Sequence, residues 1–254
     1  MSGQAALSGL AVLVTGASSG IGRATALAAA RAGADVAVTY LTNEAGAQSV
    51  AHEIRALGRR AFVTQLDLAS DASIRAVGPA ARDALGRLDV WINNAGADIL
   101  TGPAGALPDV DKLDLLLAVD LRGTMLASWE AARLLGAGGG GVIINMSWDH
   151  VLTGMPGRNP EMFAAVKGGV LAFSKSLART AAPLVRVNVL APGWIETSFG
   201  EGLDEESRRS IAASTPLGRW GTPEDVARAA VFLASSDASF VTGQAILVGG
   251  GTVM

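Results

Sequence analysis

Residues 15–23 read Thr-Gly-Ala-Ser-Ser-Gly-Ile-Gly-Arg, which sets Gly16, Gly20 and Gly22 in the spacing G-x3-G-x-G. Between a strand and a helix, that spacing suits phosphate binding. Gly16 permits a tight turn, Gly20 lets the backbone approach a ligand, and Gly22 lets the helix pack on the strand. The N–H groups of the helix N-terminus then meet a pyrophosphate, with Ser18, Ser19 and Ile21 completing the loop. Proton chemistry has fewer carriers. The 254 residues include one tyrosine, Tyr40, two histidines, His52 and His150, and no cysteine. Thiolate nucleophiles, disulfides, iron–sulfur clusters and Cys-type zinc sites are therefore excluded. The histidines lie far apart with no matching carboxylate cluster, so no metal is expected.

The glycine loop needs a strand before it and a helix after it, and the hydrophobic pattern supplies both. Leu10–Thr15 reads as a buried strand and 20–32 as a helix. Strands are then expected at 35–40, 60–65, 88–93, 141–147, 185–190 and 244–248, with helices at 44–57, 70–85, 113–135, 161–182 and 223–234. Strands apolar throughout, rather than alternating, belong to a parallel sheet covered on both faces. The expected fold is α/β: one domain over 1–254, a doubly wound parallel sheet of about seven strands with helices on both faces. Segments 99–111 and 198–220 read as loops at the strand edge where ligands bind, the latter as a substrate lid with a solvated helix near 201–209.

Bulk properties narrow the partners. Charged residues make up 17% and the net charge is −3, with no basic run to meet nucleic acid. Apolar runs are too short for a membrane span, and the first residues lack a signal-peptide pattern, so a cytoplasmic protein acting on a small molecule is expected.

Further motifs fall at strand ends: Asp67-Leu68, Asn93-Asn94-Ala95-Gly96, Pro192-Gly193-Trp194-Ile195-Glu196-Thr197 and Thr242-Gly243-Gln244. With the glycine loop, this ordered set resembles the short-chain dehydrogenase/reductase family over about residues 7–251, a single-domain Rossmann fold. The resemblance implies that Asp67, with Leu68, takes the adenine and that Asn93, Ala95 and Gly96 line its ribose. It also implies that Lys167 holds the nicotinamide ribose and that Pro192, Gly193, Ile195 and Thr197 hold the nicotinamide. The second strand ends in Tyr40-Leu41-Thr42-Asn43 without the acid that binds a ribose 2′-hydroxyl. That favours NADP(H) over NAD(H), with Tyr40, Thr42 and Asn43 as phosphate donors. Ser19 and Leu41, however, stand where NADP-preferring relatives often carry Arg.

The family's acid/base set is altered. Its proton donor is a Tyr four residues before a Lys; here the motif reads Phe163-Ala164-Ala165-Val166-Lys167, and Phe163 has no proton to give. The family's Asn on the long helix is Asp120. The strand-end Ser falls at Trp148, with Ser147 beside it as a substitute. Counting back from Phe163 by the family's spacing reaches His150 instead, and the strand-side count is preferred because insertions collect in loops. Val248-Gly249-Gly250-Gly251 replaces a common V-D-G-G, a change expected to affect packing.

Two readings stay open. In one, the enzyme reduces a carbonyl, C=N or C=C group with a non-standard donor. Asp149 or His150, beside Lys167, is the candidate donor, directly or through water, and Asp120 holds a water chain by its charge. Ser147 replaces the strand-end Ser, and Trp148, Phe163 and Trp194 form a substrate pocket that suits a flat, pterin-like ring. Pteridine reductases, a branch of the family, carry N-M-x-D, which resembles Asn145-Met146-Ser147-Trp148-Asp149 displaced by one. Asp149 as a turn cap and His150 as a solvated residue are the plainer roles. In the other reading, the fold binds dinucleotide without turnover, as a sensor or assembly partner. Relatives pair their long helices, so a homotetramer or homodimer through 113–135 and 161–182 is expected.

Overall fold

A computed structural model describes residues 5–197 and 203–254. Strands β1 (Ala11–Val14), β2 (Asp35–Tyr40), β3 (Ala61–Gln65), β4 (Val90–Asn93), β5 (Gly141–Met146), β6 (Val185–Pro192) and β7 (Ala245–Val248) form one parallel sheet in the order β3-β2-β1-β4-β5-β6-β7. The register sets Val14 beside Val38 and Ile92, so the β1, β2 and β4 ends share one edge. The chain runs outward from β1 in one direction through β2 and β3, then crosses back to β4. The strand order therefore reverses between β1 and β4, and the crevice at that switch is where such sheets bind ligands.

Helices α1 (Gly20–Arg31), α2 (Glu44–Ala56) and α9 (Pro223–Ala234) cover one face; α3 (Asp71–Leu85), α6 (Thr124–Ala137) and α7 (Arg158–Ala181) cover the other. Their small residues allow close approach. Ala26, Ala29 and Ala30 of α1 are buried with Val226 and Ala230 of α9, whereas Ala127 and Ala131 of α6 are buried beside Trp91. Both faces of every central strand are thus dry, as the apolar runs required.

Two segments differ from the sequence expectation. The stretch 99–111 is not all loop: α4 (Gly102–Gly105) and α5 (Asp109–Leu116) form there, and Asp109 and Asp111 in the first turn of α5 suit its positive end. From α5 the helix continues through a π-helical turn, Leu117–Gly123, into α6. One widened turn interrupts what the periodicity presents as one helix. Such turns collect at functional sites, and this one carries Asp120. In the lid region, α8 (Glu205–Ser214) begins where Asp204 Oδ1 accepts from Ser207 N. The first residues of the expected lid helix, including Glu201, lie outside the described residues.

Beneath the crevice, Asn93 is 2% exposed and its side chain is fully used. Its Oδ1 accepts from Trp91 Nε1 (2.8 Å), while Nδ2 donates to Ser128 Oγ (3.0 Å) and Asn145 Oδ1 (2.8 Å); Asn145 Nδ2 in turn donates to Ser174 Oγ (2.9 Å). Each buried polar atom left without its partner costs about 1–3 kcal/mol. Asn93→Leu should therefore destabilise the protein by at least about 2 kcal/mol, read as a lowered urea midpoint with unchanged slope. An unchanged midpoint would show that the network bears no weight.

Candidate active site

The β1–β4 crevice opens into a cleft of about 760 Å³. The glycine loop forms one wall. Ser19 begins α1 without a side-chain capping bond, and Gly20, Ile21 and Gly22 line the cleft. The N–H groups of a first helical turn have no intrahelical partner, so this wall suits an anion. A Cβ at Gly22 would overlap the Gly16 carbonyl oxygen, which makes glycine obligatory there. Asn94 clamps the loop from β4: its Nδ2 donates to Thr15 O (2.9 Å) and Gly16 O (3.3 Å), and Thr15 Oγ1 accepts from Asn94 N and Ala95 N (both 2.9 Å). Across the opening, a Cβ on Gly20 would lie 3.7 Å from Thr197 Cγ2, so the phosphate loop faces the 192–197 segment.

Nearly all the sequence-predicted residues meet in this cleft. Gly16, Ser18, Ser19, Tyr40, Thr42, Asn43, Asp67, Leu68, Ala95, Gly96, Pro192, Gly193, Ile195 and Thr197 line the dinucleotide-sized part. Asp120, Ser147, Trp148, Phe163, Lys167 and Trp194 line the remainder. Asn93 does not, because its side chain serves the buried network below. The sequence reading passed over Asn94 as a clamp, although it belongs to the same Asn-Asn-Ala-Gly run. It also passed over Asp98, on the loop after β4.

At the reacting end, Lys167 Nζ lies 2.7 Å from Asp120 Oδ2, and both side chains are almost wholly buried. Asp120 Oδ1 accepts from Ala97 N at 2.7 Å. The π turn brings a carboxylate to the spot, and the second carboxylate oxygen is fixed by the loop after β4. Phe163 packs one helical turn before Lys167, with Nζ 5.3 Å from the ring centroid. Ser147 Oγ donates to the Lys167 carbonyl oxygen at 2.8 Å, so its proton is aimed at backbone.

Asp149 and His150 stand outside the cleft wall. Asp149 is 0% exposed and its Oδ1 lies 2.6 Å from His150 Nδ1. Its Oδ2 points toward Gly193 and Gly249, where a Cβ on either would overlap it, and has no hydrogen-bond partner among the described residues. The carboxylate thus fills the space that a side chain at position 249 would take. Two departures from the family pattern are one packing exchange. Burial pushes the Asp149 carboxyl above its ordinary range, with the His150 contacts opposing. The His150 ring stacks on Trp148 (centroids 4.9 Å apart, 24° between planes) and meets Trp194 edge-on at 6.0 Å.

A family model described as enoyl-(acyl carrier protein) reductase matches residues 16–253. The chain is 39% identical to cis-4-hydroxycyclohexanecarboxylate dehydrogenase of Sinomonas cyclohexanicum over 240 residues, 94% of each chain. The chain belongs to the short-chain dehydrogenase/reductase family, a family of NAD(P)(H)-dependent oxidoreductases. L-rhamnose 1-dehydrogenase (NAD(P)(+)) of Sphingomonas sp. is also 39% identical, over 96% of each chain. Among solved structures, a 7α-hydroxysteroid dehydrogenase complexed with NADH and 7-oxo glycochenodeoxycholic acid superposes with a TM-score of 0.89 at 30% identity, covering 98% of this chain and 96% of that one. No helix among the described residues is long and apolar enough to cross a membrane.

Two outcomes follow for this short-chain family site. Lys167→Met leaves Asp120 a buried unpaired carboxylate and should cost about 3–5 kcal/mol in urea unfolding, whereas adding Asp120→Asn should recover at least half. Equal losses in both variants would contradict the pairing. Because the folded Asp149 carboxyl binds its proton more tightly than the unfolded one, its contribution is present at low pH and is lost as pH rises through its raised value. Asp149→Asn should therefore flatten the fall in stability above the ordinary carboxylate range, roughly pH 4 upward. A slope identical to wild type would remove that contribution.

Proposed function

We propose that the chain transfers hydride between NAD(P)(H) and a small molecule lying against Trp148, Phe163 and Trp194, at a site without a phenol. The observation that carries this reading is the convergence of the glycine loop, the 192–197 segment and the Lys167 ammonium on one cleft. The dinucleotide, when bound, supplies the hydride at its nicotinamide. The loop N–H groups of 20–22 hold its pyrophosphate, and Asp67 and Leu68 take the adenine. Ala95 and Gly96 line its ribose, while the Ile195 backbone and Thr197 hydroxyl hold the carboxamide. Lys167 Nζ holds the nicotinamide ribose, with Asp120 fixing the ammonium in place.

A carbonyl substrate would also need a proton at oxygen. Phe163 has none, Ser147 directs its own at the Lys167 carbonyl, and Asp149 and His150 do not reach the cleft. The Lys167 ammonium, the nearest remaining acid, is committed to Asp120 rather than free to give a proton. Support for a pterin-like ring narrows accordingly: the Trp148–Phe163 wall favours a flat ring, but no carboxylate from Asp149 faces it.

The 2′ end of the adenosine site is neutral at Thr42 and Asn43. Asn43 Oδ1, however, is used to cap α2, accepting from Gly46 N at 2.9 Å, and Glu44 lies close enough to help burial raise the Tyr40 phenol. No Arg lines the cleft among the described residues. A weak preference for NADP(H), within about tenfold or 1.4 kcal/mol, fits that mixture. For assembly, the reading is a homodimer or homotetramer through α6 and α7, supported by half-exposed Trp129 packed edge-on against Phe173 at 5.8 Å.

Fluorescence titration should show both NADPH and NADH binding, NADPH slightly tighter, and Gly22→Ala should weaken both at least about tenfold. Absence of binding would sink the proposal, and a preference for NADH beyond about a hundredfold would reverse the 2′ argument. Phe163→Tyr, which returns a phenol beside Lys167, should raise ketone turnover by about 10²-fold or more. No gain would mean that another group already donates the proton.

A further inference from the structure

The charged groups lining the cleft are Asp67, Asp98, Asp120 and Lys167, so carboxylates outnumber ammonium three to one among the described residues. The one ammonium is committed to Asp120. Asp98, on the loop after β4, stays ionised: burial raises its carboxyl, but hydrogen bonds from the Thr101 hydroxyl and the Thr101 and Leu100 N–H groups outweigh that and hold it below the usual range. The same cleft carries an aromatic wall. Trp148 and Phe163 meet at 63° with centroids 5.4 Å apart, and the His150 ring braces Trp148 and Trp194 from behind. Ring faces are negative, and a cation held over them is attracted electrostatically. Phe163, standing where a phenol would be, offers a developing alkoxide no donor, although stabilising such an oxyanion is commonly the largest single contribution in carbonyl chemistry.

We propose that the substrate is a small cyclic iminium, a C=N bond whose nitrogen carries a positive charge, interconverted with its amine. This rests on the oxidoreductase reading above. In the reducing direction the iminium carbon accepts a hydride with its electron pair, a C–H bond forms, and the C=N π pair becomes the nitrogen lone pair. The nicotinamide is oxidised by the same two electrons. Charge and atoms balance without any proton from the protein, so the missing phenol is not a defect. The aromatic ring of Trp148 and the ionised carboxylate of Asp98 select the charged substrate, the Lys167–Asp120 pair is neutral overall, and Asp149 supports the wall through His150.

The test uses the intact protein with NADPH and two rings of matched shape: N-methyl-dihydroisoquinolinium, whose charge no base can remove, and neutral 1-tetralone. The iminium should show a kcat/KM about 10²–10⁴ above that of the ketone, the span that a placed acid contributes. Calorimetry without cofactor supplies a readout independent of turnover. N,N-dimethyl-tetrahydroisoquinolinium should bind at least about threefold tighter than neutral 1-tetralol, and Trp148→Leu should remove most of that difference. Equal kcat/KM for the two rings, or no preference for the cationic probe, overturns the iminium assignment. Failure to bind NADPH would instead overturn the oxidoreductase reading, which separates the two claims.

Discussion

The buried Lys167–Asp120 pair governs the reacting end of this molecule. A lysine ammonium so far from water is costly unless a countercharge sits against it. Here the countercharge comes from a different helix, at a π turn that swings Asp120 into reach. Once the two are joined, the loop after β4 is fixed through Ala97 N, and the Lys167 ammonium is no longer a free agent in the cleft. The neighbouring groups follow from that arrangement. Under the proposed function, a lysine with its charge neutralised and no phenol to acidify holds and orients, and the wall around it selects by shape and by the electrostatics of aromatic rings.

The second organising feature is the exchange between Asp149 and Gly249. Glycine at 249 opens a space beside Gly193, and the Asp149 carboxylate fills it. From there Asp149 fixes His150, and His150 stacks on Trp148. Through His150, Asp149 supports the Trp148 ring of the cleft wall. Burial raises its carboxyl pKa, and the His150 contacts oppose the rise.

The fold was largely readable from sequence because apolar runs of strand length and amphipathic helices alternate without a break, and the glycine loop marks the switch point. The dinucleotide half was readable for the same reason: backbone-lined strand ends carry their chemistry in local motifs. Side-chain direction was not. Nothing in Asn93-Asn94 says that one amide serves the core and the other the loop, since β4 ends between them, at Asn93. The packing of Asp149 was not legible because its partner space, at Gly249, lies a hundred residues away in sequence. The π turn escaped notice because one widened turn barely disturbs helical periodicity.

Isotope substitution on a single turnover tests the account most directly. With reduced cofactor deuterated at the transferring position, the hydride step should slow, and carrying out the same turnover in D2O should leave that step unchanged, because no proton moves with the hydride. Slowing of the hydride step in D2O would show a protein-borne proton in flight, contradicting a cleft that works without a donor.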